Sequence, residues 1–181
     1  MKKILVSTIS FVNKEKQDTE IYTTFAKRLI NDVITKTPFD VLVSTNEINL
    51  FNDVQKTDRI TIRNCDLGLH KTNVKAFNQL LKFYSIKDIN EEYEWVLYMD
   101  CDAGFTTQIN VDDVINYLNT LDSKNFDMSA LRTDATYDME AFEIGVSAKL
   151  SGYNVAEMTW GRQNDLFKVG FNFNNWEKIK R

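Results

Sequence analysis

Asp100 and Asp102 stand one residue apart, directly after an apolar run, in the segment "EWVLYMDCDAGF" at 94–105. Two nearby carboxylates repel unless one is protonated or a cation sits between them. On an extended segment alternate residues share a face, so both acids can aim one way with Cys101 opposite. Hard oxygen donors suit Mg²⁺ or Mn²⁺, which are commonly held by one or two carboxylates together with substrate phosphates. The plain alternative is a pair of acids solvated beyond a strand end. The apolar approach and the small pair Ala103-Gly104 favour the cation, since Gly104 permits close backbone approach or a positive φ.

Acids so placed need a scaffold. "KKILVSTI" reads as a buried first strand, and residues 18–34 put Tyr22, Phe25, Leu29 and Val33 on one helical face. Pro38 stops that helix, "DVLVST" at 40–45 is a second strand, and "DRITIR" at 58–63 alternates as a short third. A second helix is expected over 70–85 with Val74, Phe77, Leu81 and Tyr84 on one side. "EWVLYMD" is the next strand, followed by a helix over 112–121 and a strand "FDMSALR" at 126–132. The βαββαβαβ order predicts an α/β sandwich with a mostly parallel central sheet. Ligands of such sheets gather at the carboxyl ends of the strands, where the two aspartates fall. The turns "STIS" and "STNE" after the first two strands open at the same edge, offering Thr8, Ser10, Thr45 and Asn46 as hydrogen-bonding groups, although these are also ordinary loop residues. Beyond about residue 133 the periodicity weakens into short strands and loops, and "NFNNWEKIKR" reads as a short helix or tail.

The bulk properties narrow the function classes. A chain of 181 residues is expected to form a single domain, and 43% hydrophobic with 27% charged residues is a globular composition. A net charge of -4 disfavours general nucleic-acid binding. Cys65 and Cys101 form no CxxC or Cys/His cluster, so neither a disulfide framework nor a structural zinc is expected, and a reducing, cytoplasmic setting fits. The opening "MKKILVSTISFV" is broken by Ser7, Thr8 and Ser10 and lacks a cleavage site, so it reads as a core strand and not a signal peptide. No segment approaches the roughly 20 apolar residues of a membrane span. No glycine-rich phosphate loop is present.

"YEWVLYMDCDAGF" resembles the DxD segment of GT-A-type, nucleotide-sugar-dependent glycosyltransferases, in which an aromatic-rich apolar strand ends in (Y/W)xDxD. The resemblance implies a Rossmann-like GT-A sandwich over 1–181, with a nucleotide-sugar-binding half at 1–105 and an acceptor-side half at 106–181. It implies Mn²⁺ (or Mg²⁺) bridging a nucleotide diphosphate to Asp102, with Asp100 as its partner or on the ribose or sugar. "HKTNVKAFNQLLKFY" is similar to the helix before the DxD strand, where a Lys or Arg faces the donor. Lys71, Lys75, Asn78 and Lys82 lie on one stripe there, and Lys75 and Lys71 are the candidates to neutralise the diphosphate. In the family the first strand's loop cradles the base and ribose, which implies Thr8 and Ser10. The donor implied is a UDP-sugar and the acceptor a glycan or other hydroxyl.

The later segments match in part. "FEIGV" at 142–146 is similar to an NxGV-like segment of some retaining members, with Glu143 in place of Asn, and "GRQND" at 161–165 to a later Gln/Asp segment. Trp160 could offer a face to a sugar. Retaining members often place a late histidine on the metal, but His70 is the chain's one histidine and precedes the motif. Asp165, another late acid or water would then complete the shell. An inverting enzyme instead needs a carboxylate base near the acceptor, for which Asp134, Asp138, Glu140, Glu143 and Asp165 are available, with Asp165, Glu143 and Asp138 the leading candidates. Two other readings compete. A haloacid-dehalogenase-like phosphatase also sets DxD after a strand, but usually near the N-terminus with Thr or Val two residues beyond, where this chain has Gly104. A catalytically inactive GT-A scaffold binding a nucleotide or glycan would keep the fold without the reaction.

Overall fold

A computed structural model describes residues 3–12, 20–65, 89, 92–124, 128–130 and 169–172. They form an α/β fold in two compact units, one of Leu5–Ile89 with Met99–Ile109 and the other of Met1–Ile4, Asn90–Tyr98 and Asn110–Arg181.

The first unit is parallel. Strand β1 (Ile4–Ser10) leads to helix α1 (Ile21–Lys36), strand β2 (Asp40–Thr45), a short 3-10 turn at Ile48–Phe51 and strand β3 (Ile60–Asn64). The strands run in the order β3-β2-β1, both pairs parallel, with Val6 beside Val41, Ser10 beside Thr45 and Thr45 beside Asn64. β1 and β2 are buried almost throughout, as expected of parallel strands covered on both faces. The apolar core here includes Leu5, Val6, Leu29, Val33, Val41, Val43 and Met99.

Pro38 ends α1 as expected. Thr37, the residue before it, is extended at φ -138° and ψ 160°, which the proline ring favours. The helix face differs from the expected one. Leu29 and Val33 are buried, but Tyr22 is 43% exposed, and Thr23, Ala26, Ile30 and Asp32 take the inner positions. The buried line therefore runs through 23, 26, 30 and 33, about 100° per residue, and the aromatic ring of Tyr22 falls outside it.

The second unit holds strand β4 (Trp95–Tyr98), helix α2 (Val111–Ser123), strand β5 (Met128–Ala130) and strand β6 (Val169–Asn172). Their order is β4-β6-β5, and both pairs are antiparallel. The parallel pairing of β1 to β3 agrees with the expected mostly parallel sheet, and β6 is a strand that runs against both of its neighbours. α2 buries Val114, Leu118 and Leu121, its Asn110 side chain caps Asp112 N, and Asp112 and Asp113 sit in the positive first turn. Trp95, fully buried, donates its indole N–H to Asp122 Oδ1 of α2 at 3.2 Å. The helix expected over 70–85 lies outside the described residues.

Candidate functional site: the Asp100–Asp102 turn

β4 ends at Tyr98, and all four of its residues are buried. The Met99 N–H then donates to Ser7 O of β1 at 3.0 Å, and the chain turns at once, with Ala103 N–H donating to Asp100 O at 3.0 Å. Asp100 occupies the first position of this turn, where a short acid is favoured. Asp102 occupies the third. Asp102 is exposed, Asp100 half-buried, and Cys101 only 7% exposed. Cys101 is directed away from solvent as expected, yet the means is a turn and not strand alternation. The turn lets two acids follow a fully buried strand without being buried themselves.

The Cys101 thiol is pushed up to about 12, first by burial and then by the Asp102 and Asp100 charges. Burial and the two flanking carboxylates thus favour its neutral form. The oxygen donors of the turn remain the two carboxylates. Among the described residues no group of three or more His, Cys, Asp or Glu side chains is arranged to hold a metal. Two hard oxygen ligands fit a Mg²⁺ or Mn²⁺ that takes its remaining ligands from phosphate and water.

Three residues of α1 reach the loop that carries these acids, and sequence reading had not singled them out. Arg28 Nη2 donates to Asp102 O at 2.5 Å. Lys36 Nζ is 2.6 Å from Asp32 Oδ1 and also donates to Phe105 O. Gly104 lies so close to Asp32 that a Cβ there would stand 2.5 Å from Asp32 Oδ2. Gly104 does serve close approach, here to a side chain of the protein. The one signal that could have found this set is the i, i+4, i+8 spacing of Arg28, Asp32 and Lys36, which puts all three on one helical stripe.

The other expected residues divide. Thr8, Ser10 and Thr45 are not turn residues as expected: β1 runs through Ser10 and β2 through Thr45, so all three lie within buried strands. Thr45 Oγ1 accepts from Glu47 N–H at 3.1 Å, while Asn46 binds Val12 reciprocally, accepting from its N–H and donating to its carbonyl, both at 2.9 Å. Thr45 and Asn46 thereby shape the loops after β1 and β2. Among the described residues the hydroxyls of Thr8 and Ser10 find no hydrogen-bond partner, and they share a face of β1. Lys71, Lys75, Asn78, Lys82, His70, Asp134, Asp138, Glu140, Glu143, Trp160 and Asp165 all lie outside the described residues. No family model matches the chain, and no curated protein matches it. Among the described residues, no helix is long and apolar enough to cross a membrane.

Proposed function

We propose that this chain is a divalent-metal-dependent glycosyltransferase of GT-A type, moving a sugar from a nucleotide-diphosphate donor, with UDP favoured, to a hydroxyl acceptor. The observation that carries the reading is the turn itself. An exposed Asp102 and a half-buried Asp100 follow a wholly buried strand, and Met99 of the same segment is bonded to β1 of a parallel α/β unit. Parallel sheets bind ligands beyond the carboxyl ends of their strands.

In this reading Asp102 and Asp100 hold Mn²⁺ or Mg²⁺. When bound, the cation supplies charge stabilisation for the departing nucleoside diphosphate. Asp102 offers its exposed carboxylate, while its carbonyl is held by Arg28, so the backbone of the acid is fixed before any ligand arrives. Lys71 and Lys75 are the candidate cations for the diphosphate, and the resemblance places Thr8 and Ser10 toward the base or ribose, although both are buried within β1. Asp138, Glu143 and Asp165 are the acids proposed to serve the acceptor. The net charge of -4 argues against general nucleic-acid binding, and a cytoplasmic setting belongs to the same proposal.

The test is a thermal-shift titration of wild type and Asp102→Asn with UDP, GDP and CDP, with and without Mn²⁺. A ligand that binds only the folded state stabilises it by about 2.7 kcal/mol at 100 times its Kd. The expected outcome is stabilisation by UDP that requires Mn²⁺ and disappears in Asp102→Asn. No response to any nucleotide would sink the proposal, and a covalent aspartyl phosphate would replace it with the phosphatase.

A further inference from the structure

We infer that Arg28, Asp32 and Lys36 form a splint along α1 that positions the Asp100–Asp102 turn for its cation; the inference rests on the metal-dependent reading above. The loop from Met99 to Ile109 is held at successive points. Ser7 O takes the Met99 N–H at 3.0 Å, Arg28 takes the Asp102 carbonyl at 2.5 Å, and Asp32 lies against Gly104. Lys36 Nζ takes the Phe105 carbonyl, the Phe105 side chain is itself buried, and Ile109 N–H donates to Lys36 O at 3.2 Å.

The chemistry of the three side chains is matched to a loop that must present negative charge. One cation binds a carbonyl within the turn and another a carbonyl just after it, and a guanidinium or ammonium makes a stronger hydrogen bond than a neutral donor. Asp32 is the unusual member. It is an acid on the inner side of a helix, and its side chain is only 12% exposed. Such a group is costly to bury unless paired, and Lys36 one turn later pairs it at 2.6 Å. Asp32 in turn fixes the Lys36 ammonium between the helix and Phe105 O. A Cβ at 104 would stand 2.5 Å from Asp32 Oδ2, so a larger residue there would force the carboxylate to move. Binding two ligands of a cation on a turn already fixed avoids ordering that turn on binding.

The geometry assigns these residues a positioning role, not a ligand role, and the test separates the two from mere stability. Mn²⁺ affinity is measured in the presence of UDP, by the loss of the free-ion electron paramagnetic resonance signal. Wild type, Arg28→Ala, Asp32→Asn, Lys36→Met and Lys36→Arg are compared at a temperature where circular dichroism shows each folded. Arg28 is exposed, so its variant remains informative if a change at Asp32 unfolds the chain. The expected result is a Kd for Mn²⁺ raised about tenfold in Lys36→Met and Asp32→Asn, less in Arg28→Ala, and restored to near wild type in Lys36→Arg. A purely structural role would lower Tm and leave the Kd of the folded protein unchanged. Wild-type binding with all four variants equal to it overturns the splint alone. A wild type that takes up neither Mn²⁺ nor UDP overturns the glycosyltransferase reading and the purpose of the splint with it.

Discussion

Helix α2 keeps its charged and amide side chains outside or half outside, whereas α1 turns Asp32 inward and engages Arg28 and Lys36 with a loop. α2 is ordinary in every local respect. It has an asparagine N-cap, acids in its first turn, and buried Val114, Leu118 and Leu121 at amphipathic spacing. α1 has no side-chain N-cap, and its first turn is inverted, with Ile21 and Tyr22 exposed and Thr23 buried. Its C-terminal end is instead closed from a distance. Arg59 donates to Ile34 O at 3.3 Å, Thr37 O at 2.8 Å and Phe39 O at 2.5 Å. The contrast teaches that a helix can give up local rules where tertiary partners replace them.

The strongest way to break this contrast is through the apolar seams, where the two helices should behave alike. Leu29 in α1 and Leu118 in α2 are almost wholly buried. Leu29→Ala and Leu118→Ala are each expected to lose about 2–5 kcal/mol in urea unfolding. A loss below about 1 kcal/mol for either would mean that its helix does not rest on that seam.

The helix ends should then separate them. Arg59→Ala removes charged donors from three carbonyls around the end of α1 and is expected to cost about 1.5–3 kcal/mol. Asn110→Ala removes a single cap from α2 and should cost about 1 kcal/mol. Equal losses in the same urea series would remove the distinction between a tertiary and a local closure.

The smallest effect belongs to the outer side of α1, where Lys27 Nζ lies 2.6 Å from Asp53 Oδ1. The hydrogen bond from Lys27 holds the Asp53 carboxyl below its ordinary value of 3.8. A depressed carboxyl contributes stability above its unfolded pKa and loses it as pH falls through the folded one. Lys27→Met should therefore move the Asp53 titration upward in an NMR pH series. The melting temperature at neutral pH should hardly change, because an exposed pair is screened by solvent. A large loss of stability in Lys27→Met would place α1's outer face under the same tertiary control as the Arg28–Asp32–Lys36 stripe.

Much of the scaffold was legible. Strands β1 to β5 and both helices α1 and α2 announce themselves by apolar runs, 3.6-residue spacing, Pro38 and turn chemistry, because each signal is written within a few neighbouring residues. β6 is only Val169–Asn172, and its pairing with β4 and β5 joins residues far apart in the chain. Nothing local could give its partners or its antiparallel direction. The placement of Asp100 and Asp102 directly after a buried strand was legible because the apolar run and the acids are adjacent in the chain.

What the sequence by itself determined is that two acids follow an apolar strand, roughly where the described strands β1 to β5 and helices begin, and that Gly104 permits a close approach. Only the tertiary structure decided that the close neighbour is Asp32. It also decided that the aspartates ride a hydrogen-bonded turn and not an extended strand, and that Thr45 and Asn46 are engaged in holding their own loops. The physical reason is range. Periodicity and capping act over one or two turns of chain, whereas a buried carboxylate is permitted only by the particular ammonium, carbonyl and missing Cβ that folding brings around it.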